Sequence, residues 1–177
     1  MTNETAQVHP TNVIVVDNRG LRMQTKKVET ATNVYPGRLV KKGTNDDDVV
    51  VGSEPLGNLG WAGYEHTTKK YRPVTAGTIY AQNDQIAVIN GPGIVLLASV
   101  ISGSAAVKGI LLKGGAAGQL DVAGATDAAV AVAEESVTGG AGGSRIMVRS
   151  SGSGSSTPGE SPARSRNFIH RPHSSIP

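Results

Sequence analysis

The sequence contains no cysteine, so the fold cannot rely on a disulfide, a thiolate metal site or a cysteine nucleophile. Aromatic residues make up only 3% of the 177 residues, whereas glycine is abundant, with 23 residues. A core of Val, Ile, Leu and Ala between glycine-rich turns is typical of an all-β protein. The length is that of one domain and is sufficient for a hydrophobic core.

The sequence also lacks long apolar runs and a strong charge imbalance. No run approaches the roughly 20 residues that span a bilayer, and the first ten residues are polar, without the hydrophobic region of a secretory signal. We therefore expect synthesis in a cytoplasm and no membrane partner. Net charge is +3, and residues 151–177 supply two of these charges, with three arginines against one glutamate. The near-neutral remainder does not favour a nucleic-acid partner.

Composition divides the chain into three segments: an N-terminal arm (1–20), a β-rich domain (21–150) and a basic tail rich in Ser, Gly and Pro (151–177). The tail composition predicts a flexible segment. The arm contains an apolar run of four residues, Val13, Ile14, Val15 and Val16. This run fits two structures, the first strand of a barrel or an extended arm that pairs with the sheet edge of a neighbouring protein.

Short apolar runs with glycine-rich breaks predict a small β-barrel or β-sandwich of short strands. Residues 52–68 form the longest irregular stretch, and Trp61 and Tyr64 within it indicate an ordered loop. The run 126–135 suits a strand but also permits one helical turn. The predicted strands cover residues 21–31, 38–40 after a turn at Pro36-Gly37, 49–51, 85–89, 94–100, 110–112, 119–122, 128–133 and 145–148.

Candidate chemical groups are few, and each has a simpler interpretation. The aspartates at 46–48 lack the spacing of a calcium loop and suit a solvated turn. His66, beside Glu65, has no serine in a nucleophile-elbow context and suits a loop histidine that contacts Trp61 or Tyr64. The adjacent Glu134-Glu135 point to opposite faces of a strand, so that one can pair with Arg145 or Arg149. We predict no catalytic residue, metal site, cofactor or small-molecule substrate, and therefore no enzyme.

In their order and spacing, several glycine-bounded motifs resemble the capsid decoration (cement) proteins of tailed bacteriophages. The motifs are KKVETATNVYPGRLVKKG at 26–43, the aromatic-glycine loop at 60–64, YAQNDQIAVINGPGIVLLASV at 80–100, SGSAAVKGILL at 102–112, GQL at 118–120 and AVAVAEESVTGG at 129–140. The resemblance covers about residues 26–149. It implies a β-rich homotrimer on the outer surface of the virion capsid, at three-fold and quasi-three-fold positions. There it would bind the major capsid protein and stabilise the head against internal DNA pressure.

On this resemblance we expect the arm residues Val13–Val16 to add a strand to a capsid subunit, and Trp61 and Tyr64 to contact it from their loop. Deletion of residues 1–16 should then abolish capsid binding and leave a folded trimer. Two other classes remain open. One is a virion surface adhesin or fibre-type module that binds host carbohydrate, and the other is a carrier or small enzyme domain of barrel type, which would carry a covalent cofactor on a lysine.

Overall fold

The computed structural model describes residues 9–30, 34–52, 57–137 and 144–151. These residues form strands and turns, with one short 3-10 turn at Ala116–Gly118, and the prediction of an all-β fold is confirmed. None of the described ranges contains a helix with the length and hydrophobicity that crossing a membrane requires. The eleven strands are β1 (Val15–Asp17), β2 (Arg22–Val28), β3 (Leu39–Lys42), β4 (Asp48–Val51), β5 (Asn58–Ala62), β6 (Gln85–Asn90), β7 (Val95–Ser99), β8 (Leu111–Gly114), β9 (Leu120–Val122), β10 (Ala131–Ala133) and β11 (Arg145–Ser150).

Five strands from the first half of the chain close into a barrel in the order β2-β4-β3-β5-β6. Neighbouring strands run antiparallel except β2 and β4, which are parallel and join through only two residue pairs, Lys27 with Asp48 and Val28 with Val49. The long antiparallel ladder of β2 with β6 runs from Arg22 to Lys27. The barrel is therefore closed by a ladder as short as that of β5 with β6, which also has two residue pairs.

The other six strands form an antiparallel sheet in the order β1-β7-β11-β10-β8-β9. An isolated bridge between Val100 and Leu120 ties β9 back to the end of β7, so that the sheet curls on itself. Strand β1 lies outside this curl and pairs with β7, with Val15 opposite Leu96. The first strand of the chain thus belongs to a sheet whose other strands all come from its second half.

Two clusters of buried apolar side chains form the core. The barrel encloses the smaller one, which includes Val28, Tyr80 and Val88. The larger cluster lies under the six-stranded sheet and also takes in Trp61 and Ile89 from barrel strands. Because side chains from both β-units share this cluster, barrel and sheet pack as one folded body.

The prediction that residues 52–68 are irregular is wrong, because strand β5 lies within this stretch. Glycines in this stretch indicated a loop, but Gly60 has a φ of +150°, and a Cβ there would lie 2.3 Å from the carbonyl oxygen of Ile89. The glycine therefore allows β5 to approach β6 closely and does not end a strand. Trp61, the next residue, is 2% exposed and pairs with Ile89.

The remaining predicted strands occur close to their predicted positions. The strand over 128–133 is shorter than predicted, since only Ala131–Ala133 pair with β8 and β11. The predicted turn at Pro36-Gly37 is present, with a φ of +77° at Gly37. Residues 1–8 of the predicted arm and residues 152–177 of the predicted tail lie outside the described residues.

Candidate functional site

The predicted arm residues lie in or directly before β1, an edge strand of the chain's own sheet. Ile14 is fully buried in the larger cluster, and its carbonyl accepts a hydrogen bond of 2.7 Å from the Leu97 amide. Val13 and Val15 are half-buried, whereas Val16 is 50% exposed. Of the two structures that fitted this run, the described residues adopt the intramolecular strand, although in the curled sheet and not in the barrel. The side chain of Ile14 is therefore not available to a partner.

Glu65 fastens β1 from the loop that follows β5. Its Oε1 accepts hydrogen bonds from the backbone amides of Ile14 and Val15, the latter at 3.1 Å. Glu65 Oε2 is buried and has no hydrogen-bond partner among the described residues. The carboxylate therefore satisfies two backbone donors of an edge strand, a role that suits a structural group.

Two arginines complete this attachment. Arg145 donates to the carbonyls of Pro10 and Val13, at 3.2 and 2.6 Å, and its burial lowers the pKa of its guanidinium. Arg72 donates to the carbonyls of Glu65 and Thr67, at 2.5 and 3.0 Å. These bonds fix the loop that carries the Glu65 carboxylate. The N-terminal segment is thus held by charged side chains in addition to its ladder.

A second carboxylate anchors the segment further upstream. His9 Nε2 lies 2.5 Å from Glu135 Oε1, and the same oxygen accepts a hydrogen bond of 2.5 Å from the Met147 amide. The neighbouring Glu134 pairs with Arg149 Nε at 2.5 Å, which confirms that one of the two adjacent glutamates pairs across the hairpin with Arg145 or Arg149. The prediction placed both glutamates in a strand, but β10 ends at Ala133, and the two side chains bind different partners from the bend that follows it.

An open depression borders β1 and is lined by Val15, Val16, Asp17, Asn18, Glu65 and His66. Asp17 accepts hydrogen bonds from Arg19, which lower the pKa of its carboxyl group. Oε1 of Glu65 is occupied by backbone amides, and His66 is exposed. Within the described ranges no group of three or more His, Asp or Glu side chains is arranged to hold a metal ion.

The predicted partner-binding pair, Trp61 and Tyr64, lies in the core. Trp61 is 2% and Tyr64 is 6% exposed, and the Tyr64 hydroxyl donates to the carbonyls of Pro73 and Val74. In this structure neither side chain forms a surface that a partner could contact. The prediction assumed a loop, but β5 turns Trp61 inward against the six-stranded sheet.

The aspartates at 46–48 are also not alike. Asp46 and Asp47 are almost fully exposed, as a solvated turn predicts. Asp48 is only 3% exposed, and Asn45 Nδ2 at 2.6 Å and Lys27 Nζ at 3.0 Å hold the pKa of its carboxyl group below the ordinary value. This residue supports the turn that begins β4.

Sequence reasoning missed the residues that hold β1, namely Glu65, Arg72 and the pairing of His9 with Glu135. Glu65 was noted only as the neighbour of His66, because its partners lie 50 residues away in the chain. A single carboxylate in a loop carries no sequence signal for backbone amides that the fold brings to it.

No protein-family model and no curated protein matches this chain. Among solved structures, the fold is similar to the crystal structure of the head fiber gp8.5 N base in bacteriophage phi29. The TM-score is 0.51 at 16% sequence identity, and the alignment covers 74% of this chain and 94% of that chain. At this identity the similarity shows a shared fold.

Proposed function

We propose that this protein is a structural component of a tailed-bacteriophage head, which binds the outer surface of the assembled shell of major capsid protein. The observation that carries the proposal is the similarity of fold to the base of a phage head fibre. The alignment covers 94% of that chain. The order of the glycine-bounded motifs, which resembles that of decoration proteins, supports the same assignment. Synthesis in the host cytoplasm is part of the proposal.

In this proposal the protein acts as a homotrimer at three-fold and quasi-three-fold positions and stabilises the head against internal DNA pressure. A ligand that binds only the assembled shell stabilises it by mass action, and many copies with modest interfaces add up to a large effect. The contact surface consists of exposed groups, because the core holds Ile14, Trp61 and Tyr64. Among the described residues, the exposed large apolar side chains are Val16, Met23, Val74, Val107 and Leu111.

The test is co-sedimentation of the purified protein with empty, expanded capsids, paired with a mass measurement of the free protein. We expect it to sediment with expanded capsids and to have three times the mass of one chain. Capsids with the bound protein should release DNA at a higher temperature than bare capsids. A protein of monomer mass that does not sediment with capsids would contradict the proposal.

A second candidate is the base of a fibre that binds the host. The specific observation in its favour is that the similar structure is itself the N base of a head fiber. Both candidates predict binding to the capsid, so capsid stability separates them. A protein that sediments with capsids, leaves their DNA release temperature unchanged and binds host cells or carbohydrate would be a fibre base.

A further inference from the structure

The N-terminal strap, residues 9–17, begins the described part of the chain and is attached largely through side chains of other elements. Its last three residues are β1, which pairs with β7 through two residue pairs with a register shift between them. Residues 9–14 belong to no strand. By comparison, the ladder of β7 with β11 has five consecutive pairs. The strap therefore has a short and irregular backbone ladder.

Charged side chains from three other parts of the fold hold the strap. Arg145 donates to the carbonyl of Val13 at 2.6 Å, and Glu65 Oε1 accepts from the amide of Ile14. This carbonyl and this amide belong to one peptide unit, so opposite charges hold its two polar groups. Glu135 binds the ring of the first strap residue at 2.5 Å. Hydrogen bonds to charged groups are stronger than those between neutral groups, so these contacts compensate for the short ladder.

The strap ends at a turn that provides a hinge. The amide of Leu21 donates to the carbonyl of Asn18 at 3.0 Å, and Gly20 has a φ of +76°. Strand β2 begins at Arg22 and is fixed to β6 by six consecutive pairs. Hinges are a few loop residues that absorb changes in φ and ψ, and glycine does so with little steric cost. Movement of the strap about this turn therefore leaves the barrel intact.

Four backbone amides depend on the strap, although they lie in three separate parts of the chain. They are the amides of Ile14 and Val15, which donate to Glu65, of Ala76, which donates to the carbonyl of Thr11, and of Leu97, which donates to the carbonyl of Ile14. Leu96 and Ala98, on either side of Leu97, direct their amides to β11, because alternate residues of a strand face opposite neighbours. Detachment of the strap therefore breaks the first four bonds and leaves Leu96 and Ala98 paired.

We propose that the N-terminal strap is a latch, closed in the ground state, that opens as one unit while the barrel and the rest of the sheet stay folded. Opening gives up the burial of Ile14 and the bonds to the charged side chains but keeps both β-units, so it requires less free energy than global unfolding. It uncovers the outer edge of β7 and the place of Ile14 in the larger cluster.

The latch controls access to an apolar segment. In the closed state Ile14 is buried, and the run at 13–16 is not free to pair with another protein. Opening releases this run, and the strength of the bonds to Arg145, Glu65 and Glu135 sets how often that occurs. The inference does not depend on the location of the protein in a phage head.

The test is amide hydrogen exchange of the full chain, followed by NMR at urea concentrations below the unfolding transition. We expect the four strap-dependent amides to share one protection factor and one dependence on urea, because a single opening event breaks all four bonds. The amides of Leu96 and Ala98 should be protected at least about tenfold more strongly, since they exchange only when the sheet itself unfolds.

Three variants test the charged side chains. Arg145→Gln should speed exchange of all four strap-dependent amides by one common factor of about tenfold, although its bonds go to strap carbonyls. Glu65→Gln keeps an acceptor oxygen without the charge, and its effect should extend to Ala76 and Leu97, whose amides donate to strap carbonyls. Arg22→Gln, the same change as the first at an exposed residue of β2, is the matched control and should leave all four rates unchanged.

The proposal is wrong if Ala76 and Leu97 are as strongly protected as Leu96 and Ala98, since the strap would then not open as a unit. It is also wrong if each variant speeds only the amides that lie next to it, or if Arg22→Gln acts as strongly as Arg145→Gln. The pattern of protection in the parent protein tests the opening even if a variant fails to fold.

Discussion

At the scale of single residues, buried and half-buried charges stabilise backbone that the strands leave unpaired. Glu65, Arg72 and Arg145 all bond to backbone groups of loops or of the N-terminal segment. A charged group that bonds to backbone in a poorly solvated site contributes more than a surface ion pair does. Glu65, the neighbour of the histidine considered for catalysis, therefore has a structural role in this molecule.

Glu65→Ala should loosen β1 without unfolding the protein. The substitution leaves the amides of Ile14 and Val15 without their acceptor, and an unsatisfied buried backbone donor costs about 1–3 kcal/mol. We expect a loss of this size in the free energy of unfolding by urea, and faster amide hydrogen exchange at residues 14–17. His66→Ala is the matched control, because His66 is the exposed neighbour and should change neither quantity. Equal behaviour of the two variants would show that the carboxylate does not hold β1.

At the scale of elements, the edge strand β1 is anchored to the core by Ile14, the residue directly before it. Ile14 has no exposed surface, and Val16 is 50% exposed. Truncation of a buried isoleucine to alanine typically costs about 2–5 kcal/mol, whereas a substitution at an exposed site stays within about 0.5 kcal/mol. Ile14 and β1 should therefore contribute to the free energy of unfolding, whereas a detachable arm would not.

We therefore expect Ile14→Ala to lower the free energy of unfolding by about 2–5 kcal/mol and Val16→Ala to change it by less than about 0.5 kcal/mol, as measured by urea denaturation. Deletion of residues 1–16 should destabilise the fold for the same reason, and would not be a clean test of capsid binding. If Ile14→Ala were as stable as the parent protein, β1 would have to be detached from the sheet in solution.

The elements also show how far the sequence could predict this structure. Most strands follow from β-branched runs between glycine breaks, a local pattern that β6 and β7 display clearly. Strand β5 was missed because Gly60 serves a close approach to Ile89, which lies in a strand 29 residues further along the chain. The pairing of β1 could not be predicted for a related reason. A sequence does not show whether an apolar run pairs with a strand of its own chain or with a strand of a partner.

At the scale of the whole molecule, the order of the strands interleaves the two β-units. The chain begins in the six-stranded sheet with β1, builds the whole barrel with β2 to β6, and returns to the sheet with β7 to β11. Trp61 and Ile89 of the barrel pack in the cluster under the sheet. The barrel is contiguous in sequence and encloses a small cluster of its own, but it shares the larger cluster with the sheet, so the two units should not unfold independently.

We expect a single cooperative transition in urea, because removal of either unit exposes the shared cluster. Fluorescence of Trp61, the only tryptophan, reports on that cluster, and far-ultraviolet circular dichroism reports on all strands. Methyl NMR signals of Val88, in the barrel cluster, and Val148, in the sheet cluster, report on each unit separately. All four midpoints should coincide, since two-state unfolding requires agreement between independent probes. An earlier midpoint for Val88 than for Val148, or the reverse, would show that one β-unit remains folded after the other has lost its structure, and that the shared cluster does not couple them.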